Sequence, residues 1–240
     1  MDSKDIIREL CRFPQMTTIE RKMLILKYLW NTTFFSNDKS GDIVEIGCCY
    51  GQTSVLLTDF INAFCSDKDL WVFDTFNGLL GMSEKDSNAG MCQDGSIHST
   101  KERFLEYFKS FNLEPPRNIF EGDVRSITQD DLPDKISFCY IDLDIYEPTK
   151  HVLPLVWERL KEGGTVIIDD YYFDDVFNGI KVAVDEFIEE NSLDIVIPDS
   201  ALKHSYDDYF AGSEKSGLAL AISKCDTVDF DKLDDLLRYQ

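Results

Sequence analysis

The run Ile141-Asp142-Leu143-Asp144-Ile145-Tyr146-Glu147-Pro148-Thr149 and the later run Gly164-Thr165-Val166-Ile167-Ile168-Asp169-Asp170-Tyr171-Tyr172 decide the fold. Each set of carboxylates closes an apolar, β-branched stretch, Ile136 to Ile141 in the first and Val166 to Ile168 in the second. Between them, Thr149 to Leu160 has the length of a helix and ends on Lys161-Glu162-Gly163-Gly164. That order predicts a β-α-β unit whose two strands run parallel in one sheet. Neighbouring strands lie about 4.8 Å apart, so Asp142 and Asp169 are expected side by side at the strands' carboxyl ends. Carboxylates held that close repel unless a cation or protons offset them. All-oxygen ligands of this kind suit a hard divalent ion, Mg²⁺ before Zn²⁺.

Outward from this centre the alternation continues. Strands are predicted at Asp42 to Ile46, Leu70 to Phe73, Asn118 to Glu121, Thr165 to Ile168, Asp194 to Ile197 and Leu218 to Ser223. Helices are predicted at Thr53 to Phe64, Thr100 to Phe111 and Gly179 to Glu190. The fold class is therefore α/β, a doubly wound, mostly parallel sheet that binds its ligands at the carboxyl ends of the strands. One domain over residues 1–240 is expected, with 41–240 as the Rossmann-like core and 1–40 as a peripheral helical extension. In that extension Thr17 to Glu20 forms a capping box, and Met23, Leu24, Leu26, Leu29 and Trp30 form an apolar face.

The chain has 24 Lys plus Arg against 45 Asp plus Glu, a net charge of −21. Such a surface opposes phosphate-backbone binding and anionic membranes, so neither nucleic acid nor membrane is an expected partner. The seven cysteines include no CxxC pair and read as reduced thiols of a cytoplasmic protein. No stretch reaches the roughly 20 apolar residues of a membrane span.

Three further strand ends carry acids. The first strand runs into Glu45-Ile46-Gly47-Cys48-Cys49-Tyr50-Gly51-Gln52-Thr53, where Gly47 allows a sharp turn and Thr53 is a candidate helix cap. Its spacing departs from the G-x-G-x-x-G that cradles a pyrophosphate and suits an adenosyl ligand without phosphates. The second ends in Asp74, placed to accept from a ribose diol. The third ends in Glu121-Gly122-Asp123-Val124, where Asp123 could meet an adenine amino group.

With these residues the chain resembles the S-adenosylmethionine-dependent methyltransferases, and more narrowly the macrocin O-methyltransferase family, which methylates sugar hydroxyls of natural products. The resemblance rests on Glu45-Ile46-Gly47…Gly51, Val72-Phe73-Asp74-Thr75-Phe76-Asn77-Gly78-Leu79, Gly122-Asp123-Val124, the two central motifs, and Gly179 to Phe187. It implies a seven-stranded sheet with an antiparallel last strand, and association into a homodimer in many members. It implies Asp142, Asp169 and Asp170 as Mg²⁺ ligands. It also implies an S-adenosylmethionine pocket lined by Glu45, Gly47, Cys48, Tyr50, Gly51, Asp74, Thr75, Asp123, Val124 and Asp142. The acceptor it implies is a small hydroxylated molecule, sugar-like in preference to a catechol. Gln52, Leu143, Pro148 and Tyr172 depart from the family's usual residues.

Chelation of a vicinal diol by Mg²⁺ would orient the acceptor and lower its hydroxyl pKa. Asp142 is the candidate base. Asp144 is disfavoured because alternation aligns it with Asp142 only in an extended chain. Asp169 and Asp170 share one ion only if the chain leaves the sheet between them. His98, in a polar Gly81 to Thr100 stretch that reads as a lid, and His204, in a loop from Asp199 to Gly217, are alternative bases; His151 is structural. Tyr171, Tyr172, Phe173, Tyr206, Tyr209 and Phe210 are candidates for an acceptor wall. An acidic-cluster phosphatase and a nucleotide-sugar transferase are the rivals. The first leaves the glycine loop unexplained, and the second lacks basic residues for a diphosphate.

Overall fold

Among the described residues, five α-helices and seven strands arise from two periodicities, 3.6 and 2, in the apolar residues. The computed structural model describes residues 19–86, 93–173, 178–193, 203–205 and 216–224. The strands are β1 Asp42–Ile46, β2 Leu70–Asp74, β3 Asn118–Glu121, β4 Ile136–Ile141, β5 Leu160–Phe173, β6 Lys203–Ser205 and β7 Ser216–Ser223. They form one sheet in the order β3-β2-β1-β4-β5-β7-β6. The first five are mutually parallel, and β7 runs antiparallel to both its neighbours. The helices are α1 Ile19–Trp30, α2 Gln52–Phe64, α3 Lys101–Ser110, α4 Tyr146–Arg159 and α5 Asn178–Asn191.

Alternation along the strands splits the core in two. Ile43, Phe138, Tyr140 and Ile167 face a layer that includes Leu24, Ile25, Leu29, Leu57, Phe104 and Phe108 of α1 to α3. Val44, Ile46, Cys139, Ile141, Val166 and Ile168 face Val152, Leu153 and Val156 of α4 and Ile180, Val184 and Phe187 of α5. Each side chain so buried stabilises the fold by about 1.5–3 kcal/mol, which is why the central strands read as unbroken apolar runs.

The sheet's register aligns the strand ends that matter. Ile46 pairs with Phe73 and with Ile141, and Ile141 with Ile168. Gly47, Asp142 and Asp169 therefore leave the sheet next to one another, at the point where strand order reverses between β1 and β4.

Several expectations change. The amino-terminal helix is integral rather than peripheral: Leu24, Ile25, Tyr28 and Leu29 are buried, whereas Met23 and Trp30 are exposed. The capping box of that helix lies outside the described residues. Helix α2 starts at Gln52 with Gly51 as its N-cap, so Thr53 sits inside the first turn and caps nothing. Strand β5 begins at Leu160 immediately after α4. Its register slips past Lys161–Gly164, with Gly163 at φ +72 taking up the extra residues. His204 lies on β6, paired with Gly217, where a loop was expected. The strand expected at Asp194 to Ile197 falls outside the described residues. Among the described residues no helix is long and apolar enough to cross a membrane.

If α1 is part of the core, Leu29→Ala should lower unfolding stability by about 2–5 kcal/mol in urea titration. A loss near zero would return α1 to the periphery.

Candidate active site

The loop after β1 is drawn shut by one carboxylate. Asp74, at the end of β2, accepts the amide N–H of Cys48 at 2.7 Å, of Cys49 at 2.8 Å and of Phe76 at 2.7 Å. Cys49 is thereby held at φ +48 and Gly47 at φ +85. A side chain at position 47 would collide with the Asp142 carbonyl, whose oxygen lies 1.8 Å from an ideal Cβ. Glycine there lets the β1 loop and the β4 loop touch. At position 51 the obstacle is Phe104, 2.7 Å from an ideal Cβ, so this glycine serves packing on α3. Burial, with Asp74 adding to it, pushes the Cys49 thiol up to about 12 and the Cys48 thiol well above its ordinary value. Neither is a nucleophile at neutral pH.

Glu45 is fully buried on β1, with Ser54 on one oxygen and no partner on the other. Burial raises its carboxyl to about 8, against the opposing Ser54 bond. At the end of β3, Asp123 pairs with Arg125, whose Nε lies 3.0 Å from both carboxylate oxygens, and this contact holds Asp123 below the usual carboxylate range. Val124 is buried, and the Thr75 hydroxyl donates to Gly78 at 2.7 Å. Tyr50 donates to the His98 carbonyl at 3.3 Å, which brings His98 to the rim of this loop with its side chain exposed.

The second half of the site is acidic. Asp142, Asp144 and Asp170 each offer an oxygen, and these oxygens lie within 4.8 Å of one another. Asp142 is anchored through its amide to the Ile46 carbonyl at 2.8 Å. Asp144 stands at the centre of a three-residue turn, closed by Ile145 N–H to the Leu143 carbonyl at 2.8 Å, with φ +62. Such turns are rare and strained. This turn is what brings Asp144 beside Asp142, and an extended chain would not have done so. Asp170 sits at φ +47, next to the register break that separates Ile168 from Tyr172. The chain therefore does leave regular pleating between Asp169 and Asp170.

Asp169 goes elsewhere. Alternation puts it on the face of Ile167 and Tyr140, toward α1. There it meets the Arg21 guanidinium at 2.7 Å, the Tyr140 hydroxyl and the Asp170 amide at 2.9 Å. The structure thus groups Asp144, not Asp169, with Asp142 and Asp170. Burial raises the Asp142 and Asp170 carboxyls well above the ordinary range and Asp144 to about 7. The neighbouring Asp169 charge adds to each shift, and Arg21 opposes it at Asp142 and Asp170. One oxygen of Asp170 is buried and has no hydrogen-bond partner. A tight set of hard oxygens with an unsatisfied member fits a divalent cation such as Mg²⁺.

Arg21 was not anticipated. Its signal was its position three and four residues before Leu24 and Ile25, on the stripe that α1 buries, in a chain with acids to spare. His151 donates from Nε2 to the Ile127 carbonyl at 2.9 Å and is structural. Tyr171 is buried and donates to Asp185 at 2.5 Å. Tyr206, Tyr209 and Phe210, and the side chains of Tyr172, Phe173 and His204, lie outside the described residues.

A doubly wound sheet with a glycine-turned loop and an acid cluster at its switch point has the architecture of solved O-methyltransferases. The structure of the O-methyltransferase NovP superposes with a TM-score of 0.70 at 21% identity, covering 88% of this chain and 82% of that one. An O-methyltransferase from Bacillus cereus, solved in complex with SAH, superposes at 0.55 with 14% identity over 93% and 92%. The family described as macrocin-O-methyltransferase (TylF) matches residues 14–200, and the chain belongs to that family. Demethyldecarbamoylnovobiocin O-methyltransferase of Streptomyces niveus is 27% identical over 164 residues, 63% of this chain and 59% of the relative. A 4'-O-methyltransferase of Streptomyces olivaceus, named for a rhamnosyl-tetracenomycin, is 28% identical over 59% of this chain and 57% of its own length. The matches thus span less than two thirds of these relatives.

Glu45 gives a pH test. Its folded-state pKa is raised from 4.5 to about 8, so the protonated carboxyl's stabilisation is complete below about pH 4.5 and disappears as pH rises through 8. Between pH 5 and pH 9, Glu45→Gln should lose less Tm than wild type, by about 5 °C or more in calorimetry. Equal losses would show that Glu45 is not a buried neutral acid.

Proposed function

We propose that this chain transfers a methyl group from S-adenosylmethionine to a hydroxyl oxygen of a sugar-like, diol-bearing small molecule. The observation that carries the reading is the meeting of Asp142, Asp144 and Asp170 within 4.8 Å, directly against the Gly47 turn. Family membership supports the same reaction. Names of similar proteins favour deoxysugar hydroxyls: one is a rhamnosyl 4'-O-methyltransferase, and the structurally similar CalS11 is a TDP-rhamnose 3'-O-methyltransferase.

The residues divide the work. Gly47, Cys48, Tyr50, Gly51 and Thr75 shape the adenosyl pocket, with Glu45, Asp74, Asp123 and Val124 behind or beside them. Asp142, Asp144 and Asp170 would hold a hard divalent ion, which would supply Lewis acidity that lowers a hydroxyl pKa. In the transfer the carbon–sulfur bond of the sulfonium breaks as the oxygen–carbon bond forms. Asp142 takes the hydroxyl proton, and S-adenosylhomocysteine leaves uncharged at sulfur. The shared register of β1 and β4 fixes the distance between the two halves, the main requirement of an in-line displacement.

Calorimetric titration with S-adenosylhomocysteine tests the adenosyl half, and methyl transfer to rhamnosides with and without Mg²⁺ tests the acidic half. We expect micromolar binding, and for Asp142→Asn retained binding with transfer reduced about 100-fold or more. Absence of S-adenosylhomocysteine binding would end the methyltransferase reading. Transfer indifferent to Mg²⁺ and chelator would end the metal reading alone.

A further inference from the structure

Helix α4 begins two residues after Asp144, and its own sequence leaves its amino terminus without a side-chain cap, because the N-cap residue is Ile145. The first amide of the helix, on Tyr146, donates instead to Asp86 at 2.7 Å. Asp86 stands 60 residues away in sequence, on the segment after β2. Its second oxygen accepts the Ser83 amide at 2.8 Å and the Ser83 hydroxyl at 2.9 Å. The residue is 8% exposed. It also lies against the start of α5, where an ideal Cβ on Gly179 would come within 1.8 Å of the same Asp86 oxygen. A carboxylate wedged between the amino ends of two helices is favoured by both helix dipoles.

Lys85 extends the same contact. Its ammonium reaches the Tyr146 hydroxyl at 2.7 Å and Glu186 of α5 at 2.7 Å, and it lies 3.9 Å from the Tyr146 ring centroid. Tyr146 in turn donates to Glu186 at 2.7 Å. Two consecutive residues, Lys85 and Asp86, thus bind α4 and α5 together. One of those helices follows Asp144, and the other follows the stretch after Asp170.

We infer that Asp86 is a positioning residue for the acid cluster: it fixes the first turn of α4 and so holds the strained Asp144 turn in the conformation that meets Asp142 and Asp170. The inference deepens the metal-assisted reading above and rests on it. Three-residue turns of this kind are rare and strained, and here the amide two residues beyond Asp144 is a point where the chain is tied down. Asp86 touches neither the cluster nor the Gly47 loop, so its effect is expected on the ion and not on the adenosyl ligand.

The test compares wild type with Asp86→Ala, Asp86→Asn and Gly179→Ala, using Mn²⁺ as the probe. Metal affinity is followed by titration, and amide exchange over residues 142–150 by mass spectrometry on the metal-free full chain. Asp86→Ala should weaken Mn²⁺ binding about 10-fold or more and speed exchange over 142–150, with S-adenosylhomocysteine affinity unchanged. Gly179→Ala, whose Cβ would press on both the Asp86 carboxylate and the Tyr146 amide, should show both effects at least as strongly. Asp86→Asn, which keeps one acceptor for the Tyr146 amide, should fall between. If Asp86→Ala does not fold, the other two variants carry the comparison. Variants that melt earlier yet keep wild-type Mn²⁺ affinity and exchange would overturn the positioning role and leave Asp86 a purely structural cap. Wild type that takes up no Mn²⁺ would overturn the metal reading and the positioning role with it, whereas failure of the positioning role alone leaves wild-type binding intact.

Discussion

Crowding of carboxylates from two adjacent strands, β4 and β5, is the constraint from which the rest of the site follows. Oxygens of Asp142, Asp144 and Asp170 stand within 4.8 Å of one another, and Asp169 lies behind them. Full ionisation of such a set is opposed by burial and by mutual repulsion, which raise the Asp142, Asp144 and Asp170 carboxyls. Compensation must come from protons, from a cation or from fixed positive charge. Among the described residues the fold supplies the last of these through Arg21, which meets Asp169 at 2.7 Å and stands 3.9 Å from Asp170. The remaining three acids are left for protons or a divalent ion. In this way the crowding that raises these carboxyls is also what would favour a hard cation among them.

Sheet alternation explains the division between Asp169 and its neighbours. The side chain of Asp169 falls on the face of Tyr140 and Ile167, the face that α1 covers. Arg21, 1% exposed in its side chain, reaches it from the first turn of that helix. Loss of the guanidinium would strand a buried anion, a defect that typically costs 3–5 kcal/mol. The amino-terminal helix is therefore tied to the chemistry by charge as well as to the core by Leu24, Ile25 and Leu29. Asp170, one residue later, escapes the same fate only because its positive φ turns it back toward Asp142.

The sheet was largely legible in the sequence, because β1, β3 and β4 carry apolar runs bounded by turn residues. The switch-point location of the site was legible because Asp74, Asp123 and Asp142 stand at or just past strand ends, although Glu45 lies within β1 and Asp169 and Asp170 within β5. The grouping within the acid cluster was not. It depends on positive φ at Asp144 and Asp170, two non-glycine positions whose backbone is imposed by their surroundings, and local sequence carries no mark of that. Arg21 was missed because the apolar face of α1, drawn through Met23, Leu24, Leu26, Leu29 and Trp30, took in the exposed Met23 and Trp30 and left out the buried Ile25 and Tyr28. Thr53 failed as a cap because Gly51, free to adopt φ +85, starts the helix one residue earlier.

The two halves of the site are prepared to different degrees. On the adenosyl side the acids are already occupied: Asp74 holds three backbone amides and Asp123 holds Arg125. Those carboxylates fasten the loop before any ligand arrives, so little ordering remains to be done on binding. Any ribose or adenine contact must use their remaining lone pairs, which limits the ligand to one approach. The acidic side is the reverse. Asp170 keeps an unsatisfied buried oxygen, and the strained Asp144 turn is maintained by contacts outside itself. A ligand that satisfies this half stabilises the folded state in proportion to the strain and repulsion it relieves. On the proposed reading, a cation among Asp142, Asp144 and Asp170 would draw its binding free energy from this charge crowding, beside a loop that Asp74 already holds in place.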